Sequence, residues 1–133
     1  MLKRLFKGNR RVNFTISKTG YNLIPVNGTN LLAFHGDTVR GYNPLSANSR
    51  SNIQDMCLAL FDVNARHFFS GHTHTAVSVQ NQYKGWNIVS GCLPGSNEYG
   101  LQNGFTPIQT SQCAFFIESD GSIEDIKHFN LGG

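Results

Sequence analysis

The feature that most constrains the fold is a pair of short apolar segments that each stop at a histidine and a glycine. The first is Leu31-Leu32-Ala33-Phe34, which stops at His35-Gly36-Asp37. The second is His67-Phe68-Phe69, which stops shortly before Gly71-His72-Thr73-His74. Short continuous apolar runs are typical of strands that are buried on both faces. The sequence therefore predicts two interior strands that both lead into histidines.

The segment between these strands has the pattern of an amphipathic helix. Apolar side chains recur at the i, i+3, i+4 and i+7 positions of Ile53, Met56, Cys57 and Leu60, which predicts one apolar helical face. Ser51-x-x-Gln54 has the spacing of a capping box and predicts the start of the helix. Strand, helix and strand in this order predict a parallel pair joined by a crossover helix.

The remaining chain contains several patterns typical of strands and turns. Residues 12–16 alternate apolar and polar, which predicts a half-buried strand, and Asn27-Gly28 predicts a tight turn. Further strands are expected around residues 77–79 and 86–89, with a long loop over 92–111. A hairpin is expected from Cys113–Ile117, the Asp120-Gly121 turn and Ile123–Phe129. The expected fold class is α/β with an antiparallel, β-rich tail.

The histidines are the residues best suited to a site. Functional sites in open α/β sheets gather at the carboxyl ends of strands, so His35 and the 71–74 turn are expected at one edge. Neutral imidazole is a good ligand for zinc and iron. In a tight turn His72 and His74 can diverge and serve two metal ions about 3.5–4 Å apart. The alternative is a solvent-exposed His-x-His on a loop.

Other polar residues near these motifs have simpler interpretations. Asp37 either orients an imidazole or caps the turn that follows His35. Gly71 permits a close backbone approach. His67 lies inside a strand segment and His128 in the terminal hairpin, so both are expected to be packing or surface residues.

Composition and charge set broader limits. The 133 residues fit one domain. The net charge is +3, but residues 1–20 contain six basic and no acidic residues. An N-terminal basic arm (1–11) therefore either is simply solvated or attracts nucleic acid.

The sequence contains no apolar run of about 18 residues or more, so it predicts no membrane span, and we expect a cytoplasmic protein. The three cysteines are widely spaced and are expected to be free thiols. We find no GxSxG, P-loop or GxGxxG motif.

Together the motifs resemble a known family. His35-Gly36-Asp37 after an apolar strand, followed by a helix and Gly71-His72-Thr73-His74, resembles the last two motifs of the calcineurin-like metallophosphoesterases. Residues 90–99, followed by Ser111-Gln112, are similar to the C-terminal region of phage-type members. The resemblance covers residues 12–131, which it identifies as the C-terminal half of such a domain.

The resemblance implies a β-sandwich flanked by helices and a site with two divalent metal ions, such as manganese, iron or zinc. His35 and His72 would bind one ion and His74 the other. The family's earlier motifs, Asp-x-His, Gly-Asp and Gly-Asn-His, do not occur before His35. The implied function is that of a metal-dependent phosphodiester hydrolase whose missing N-terminal half comes from a split gene or from a longer parent chain. The basic surface favours nucleic acid as one possible substrate. Alone, this half is expected to be inactive or weakly active. The alternative is a non-catalytic or vestigial metal-binding module.

Overall fold

The structure is a computed structural model, which describes residues 2–37, 39, 41–93, 102–104 and 109–132. The described elements are, in chain order, α1 (Leu2–Leu5), β1 (Tyr21–Val26), β2 (Thr29–Phe34), α2 (Ala47–Phe61), β3 (His67–Ser70), β4 (Val77–Gln80), β5 (Trp86–Val89), β6 (Ser111–Ile117) and β7 (Ile123–Asn130). They form a mixed α/β fold, as predicted. No helix in the described ranges has the length and apolar character needed to cross a membrane.

The main layer is a five-stranded sheet in the order β1-β2-β3-β5-β4. β2 and β3 are parallel and are connected through α2, which confirms the predicted crossover pair. β1 and β2 form an antiparallel hairpin around Asn27 and Gly28, whose positive φ angles of 46° and 72° fit the predicted two-residue turn. β4 and β5 confirm the strands predicted near residues 77–79 and 86–89.

The two faces of the sheet are covered by different layers. Leu32 and Phe34 alternate along β2 toward α2, where they pack with Ile53 and Cys57 in the main apolar core. The opposite face is covered by the β6–β7 hairpin, whose Phe115 ring lies 5.7 Å from that of Phe69. The hairpin confirms the predicted pair of strands and forms the second β layer. Most of the loop predicted over 92–111 lies outside the described residues.

Helix α2 begins earlier than predicted. The N-cap is Ser46, whose side chain accepts a hydrogen bond from the Ser49 backbone N–H, so the capping box at Ser51 is wrong. Ser51 lies in the second turn, where the backbone N–H groups already have helical partners. Ile53 and Cys57 are fully buried as predicted, but Leu60 is 46% exposed.

The strand predicted over residues 12–16 is also wrong, because these residues have no regular secondary structure. An alternating pattern forms a strand only where a neighbouring strand can pair with it. Here β1 is the edge strand of the sheet, and residues 12–16 do not pair with its outer side. The chain before β1 is therefore left largely exposed, with Ile16 at 69%. The proposed boundary between an arm (1–11) and a domain (12–131) stays a prediction.

Candidate metal centre

The parallel register of β2 and β3 brings the two histidine motifs together. Phe34 lies opposite Ser70, so His35 and Gly71 follow at the same level of the sheet. The Gly71 N–H donates to the His35 carbonyl oxygen at 3.1 Å, which continues the ladder beyond the two strands. The imidazole rings of His35 and His72 lie with their centroids 5.2 Å apart and their planes at 76°. Both side chains are exposed, so their ring nitrogens are accessible to a ligand.

Gly36 makes this close approach possible. Its φ is +111°, and a β-carbon placed on it would lie 3.2 Å from the β-carbon of His72 and 3.3 Å from Cδ1 of Tyr42. Tyr42 packs beneath the motif, with its hydroxyl 3.0 Å from Oγ of Ser70. Burial raises the pKa of Tyr42, so its hydroxyl stays protonated. Neither Tyr42 nor Ser70 was identified by the sequence analysis, since a single Tyr or Ser outside a motif carries no signal.

The Gly71–His74 turn separates its two histidines. The Thr73 N–H donates to the Gly71 carbonyl oxygen at 2.8 Å, and His72 and His74 both have positive φ, 67° and 59°. Such angles are uncommon for non-glycine residues, and histidine is among the side chains that adopt them more often than most. His72 faces His35, whereas His74 lines a separate hollow of about 320 Å³ together with His128. The two side chains diverge, as the sequence analysis allowed.

The donor groups fit part of a metal site. Two imidazoles supply two of the four ligands of a tetrahedral zinc ion. Among the residues that the structure describes, no group of three or more His, Cys, Asp or Glu side chains is placed to hold one metal ion. The three imidazoles therefore do not form a single-ion site by themselves in this arrangement. Asp37 is exposed, and in the described part of the chain its carboxylate is bonded neither to an imidazole nor within a turn, so both roles stay predictions.

A cavity of about 380 Å³ adjoins the histidine pair. His35, Gly71, Ala33 and Phe69 line it from the ends of β2 and β3, and Gln112 lines it from β6. Such a volume falls within the range of small-ligand pockets. The cavity is not predictable from residue patterns, because it depends on how far the hairpin extends over the sheet.

The other two histidines have the structural roles predicted for them. His67 is fully buried, with Nε2 2.8 Å from the Gly121 carbonyl oxygen, and its Nδ1 accepts a hydrogen bond from the Trp86 N–H. Because Nδ1 is an acceptor, the proton is on Nε2, which donates to Gly121. Burial lowers the pKa of His67. His128 is exposed, and its Nε2 lies 2.7 Å from Oγ of Ser78.

No protein-family model and no curated protein sequence matches the chain. Solved structures do match its fold. Vps29 from Entamoeba histolytica, complexed with Zn²⁺, aligns with a TM-score of 0.57 and 15% identity, covering 87% of this chain and 63% of that one. Vacuolar Protein Sorting 29 from Cryptosporidium parvum aligns with a TM-score of 0.52 and 17% identity, covering 84% and 57%. Vps29 from Chaetomium thermophilum gives 0.50 and 10%, covering 85% and 59%.

At these identities the likeness shows the fold alone. The zinc complex shows that a divalent metal ion binds to one protein with this fold. The chain spans 57–63% of the length of these three proteins, which fits part of a domain. The chain therefore has the mixed α/β fold of Vps29.

Proposed function

We propose that the chain is the C-terminal part of a metal-dependent phosphodiester hydrolase. The observation that carries this proposal is the pairing of the His35 and His72 rings at the carboxyl ends of two parallel strands. Two features support it: the fold, and the presence of zinc in one structural neighbour. The sequence similarity of residues 90–99 to phage-type enzymes adds support, although residues 94–99 lie outside the described ranges.

Each histidine has a distinct role in this proposal. His35 and His72 hold one metal ion and His74 holds a second, because the Gly71–His74 turn directs the two imidazoles apart. Bound metal ions would lower the pKa of the water that acts as nucleophile and would stabilise negative charge on the phosphate. Gly36 allows the close approach of the two strand ends, and Tyr42 supports Ser70 beneath them. Gly71 is not needed for this approach, because a β-carbon placed on it would lie 3.7 Å from Nδ1 of His35, an ordinary contact distance. Zinc and iron suit imidazole ligands, whereas manganese requires additional carboxylates.

The remaining ligands belong to an N-terminal partner. The chain covers 63% of the zinc-complexed Vps29, so a substantial part of that fold has no counterpart in this sequence. A site without its carboxylates loses most of the rate that metal positioning provides, so the isolated chain has little or no activity. The basic residues before residue 20, such as Lys3, Arg4 and Lys18, are exposed and favour a nucleic-acid phosphodiester as substrate.

The test begins with the coding sequence upstream of Met1. A segment with the Asp-x-His, Gly-Asp and Gly-Asn-His motifs is expected there, either in frame or as a separate gene. Co-expressed with this chain, it should hydrolyse bis-p-nitrophenyl phosphate in the presence of Mn²⁺ or Zn²⁺. His72→Ala should abolish the hydrolysis, while Glu124→Ala, which alters an exposed residue of the hairpin outside the hollow that His74 lines, should leave it unchanged. Equal activity in both variants, or the absence of any such segment, would contradict the proposal.

A second candidate function is a non-catalytic metal-binding module. It is favoured by the lack, among the described residues, of a third ligand beside His35 and His72. It predicts binding of about one zinc ion and no metal-dependent hydrolysis with any upstream segment. The hydrolysis assay therefore distinguishes the two candidates.

A further inference from the structure

The hollow that His74 shares with His128 is lined by two parts of the fold. His74 lines it from the turn that leads into β4, and Phe129 and Asn130 line it from the end of β7. Its volume is about 320 Å³, within the range of small-ligand pockets. All of its lining residues belong to the described ranges, so the hollow is defined without any other part of the chain.

Hydrogen bonds hold several side chains around this hollow in place. Nε2 of His128 lies 2.7 Å from Oγ of Ser78, and Oδ1 of Asn130 accepts the Gly132 N–H at 3.0 Å. Asn130 is also the strand partner of Ser111, which lines the hollow from the start of β6. Groups that are already oriented lose less conformational freedom when a ligand binds, so the hollow is preorganised.

The lining of the hollow is polar but contains no residue with a permanent charge. Its polar side chains are imidazoles, hydroxyls and amides, and none of its residues is Lys, Arg, Asp or Glu. Arg and Lys, the side chains that recognise phosphate, are therefore missing from it. No group of three or more metal-binding side chains is placed around one ion anywhere in the described ranges. The hollow therefore suits an uncharged ligand that forms hydrogen bonds.

An aromatic side chain adds a stacking surface to this lining. Phe129 lines the hollow and is 46% exposed, although burial of its ring would be favourable. Exposed aromatic rings are the usual stacking platform for unpaired bases. Amides such as those of Gln109 and Asn130 hydrogen-bond to base edges. A flat, uncharged group that both stacks and forms hydrogen bonds has the chemistry of a nucleobase.

We propose that this hollow binds one unpaired nucleobase, which stacks on Phe129 and forms hydrogen bonds with Gln109 and Asn130. The inference rests on the proposed function and deepens it, because it names the substrate as a phosphate ester that carries a base. A base bound here keeps its own phosphate near His74, which lines the same hollow and is the histidine assigned to the second metal ion. A base inside a duplex is stacked and paired, so the ligand is a free nucleotide or a single strand.

The test is a nuclear magnetic resonance titration of the ¹⁵N-labelled full chain with EDTA present. The ligands are hexadeoxyadenylate, the same strand with abasic sites in place of its bases, and deoxyadenosine 5′-monophosphate. Salt at about 0.3 M screens the basic residues before residue 20. We expect hexadeoxyadenylate and the mononucleotide to shift the backbone amide signals of Thr75, Ser111 and Asn130. The abasic strand should leave these three signals unchanged.

The two sources of the base are distinguished by their affinities. Tighter binding of hexadeoxyadenylate than of the mononucleotide identifies a single strand as the ligand, and equal binding identifies a free nucleotide. Both results support the site, because the base is what the hollow recognises in either case.

Two phenylalanines of the hairpin provide a matched pair of variants. Phe129→Ala removes the stacking ring and should weaken the binding of hexadeoxyadenylate by about tenfold. Phe116→Ala also removes an exposed ring, 65% accessible and outside the hollow, and should bind as the parent does. If Phe129→Ala does not fold by circular dichroism, Phe129→Leu replaces it, because leucine keeps an apolar side chain but cannot stack.

Several results would overturn the inference. One is an abasic strand that shifts the same three amide signals, since sugar and phosphate would then be sufficient. Another is an equal loss of affinity in Phe116→Ala and Phe129→Ala. A third is that nucleotide-induced shifts are confined to residues 2–18 or do not occur.

The titration contains no metal ion, so its outcome is independent of the hydrolysis assay. Base-dependent shifts without hydrolysis in the presence of any upstream segment would contradict the proposed hydrolase and leave the base site standing. Hydrolysis of bis-p-nitrophenyl phosphate without base-dependent shifts would contradict this inference alone.

Discussion

Gly36 lies so close to His72 that a β-carbon on Gly36 would be 3.2 Å from the β-carbon of His72. The two residues follow different strands, so this contact sets how near the two histidine motifs can come. A side chain at Gly36 would push the 71–74 turn away from β2. It would also force a non-glycine residue to adopt a φ of +111°.

We therefore expect Gly36→Ala to lower the free energy of unfolding by about 1–3 kcal/mol and to weaken zinc binding. Urea denaturation and calorimetric zinc titration measure the two effects. Gly41→Ala is a matched control, because Gly41 has a φ of +68° but nothing within 4 Å of its added β-carbon. Equal losses in the two variants would show that crowding against His72 is unimportant.

Because His72 has a left-handed backbone conformation, we expect its glycine variant to be more stable than its alanine variant. At a φ of 67°, glycine is less strained than alanine, so His72→Gly should be more stable than His72→Ala by about 1 kcal/mol. His128 lies in β7 without a positive φ, and there the order should reverse. Thermal or urea unfolding of the four variants checks both orders. If the glycine and alanine variants had the same order of stability at positions 72 and 128, the strain assigned to the Gly71–His74 turn would be wrong.

Acid should destabilise the fold through His67. Burial lowers the pKa of His67 in the folded protein below the unfolded value of about 6.5. The neutral ring therefore stabilises the fold fully above about pH 6.5, and this contribution is lost as the pH falls through the folded pKa. The slope is at most about 1.4 kcal/mol per pH unit.

Urea denaturation of the parent and of His67→Gln, measured from about pH 7.5 to 5.5, tests this coupling. Glutamine retains one donor and one acceptor but does not titrate. We expect the parent to lose stability on acidification more steeply than the variant. Parallel slopes would assign the acid sensitivity to other groups.

The cysteines should differ in reactivity. Cys57 and Cys92 are buried, and Cys113 is half-buried. Burial raises the pKa of the Cys57 and Cys113 thiols, so little thiolate is present at neutral pH. We expect a disulfide reagent to modify Cys113 slowly and Cys57 only after unfolding. Mass spectrometry of the native protein checks this order, and rapid modification of Cys57 would contradict the packing of α2.

The sequence predicted the elements that depend on local patterns. The strands that end before His35 and Gly71 were recognised as apolar runs, and the Asn27-Gly28 turn by its residue types. Patterns that need a partner were less informative. Residues 12–16 alternate correctly, yet they pair with no described strand, and alternation alone does not specify a partner.

The candidate site was predicted only in part, because part of it depends on local sequence patterns and part on backbone geometry. The meeting of His35 and His72 follows from two parallel strands ending at one edge, which a sequence pattern can reveal. The neighbours of His74 depend on the backbone angles of its turn, which place it beside His128 instead. Residue types alone do not specify those angles.

Whether His35 and His72 form a metal-binding pair is tested most directly by a zinc titration of the ¹⁵N-labelled full chain, followed through its imidazole resonances. We predict that the ring signals of His35 and His72 shift together on addition of about one equivalent of zinc, while those of His67 and His128 do not. Resonances of His128 shifting first, or no shift at His35 and His72 at all, would contradict the account.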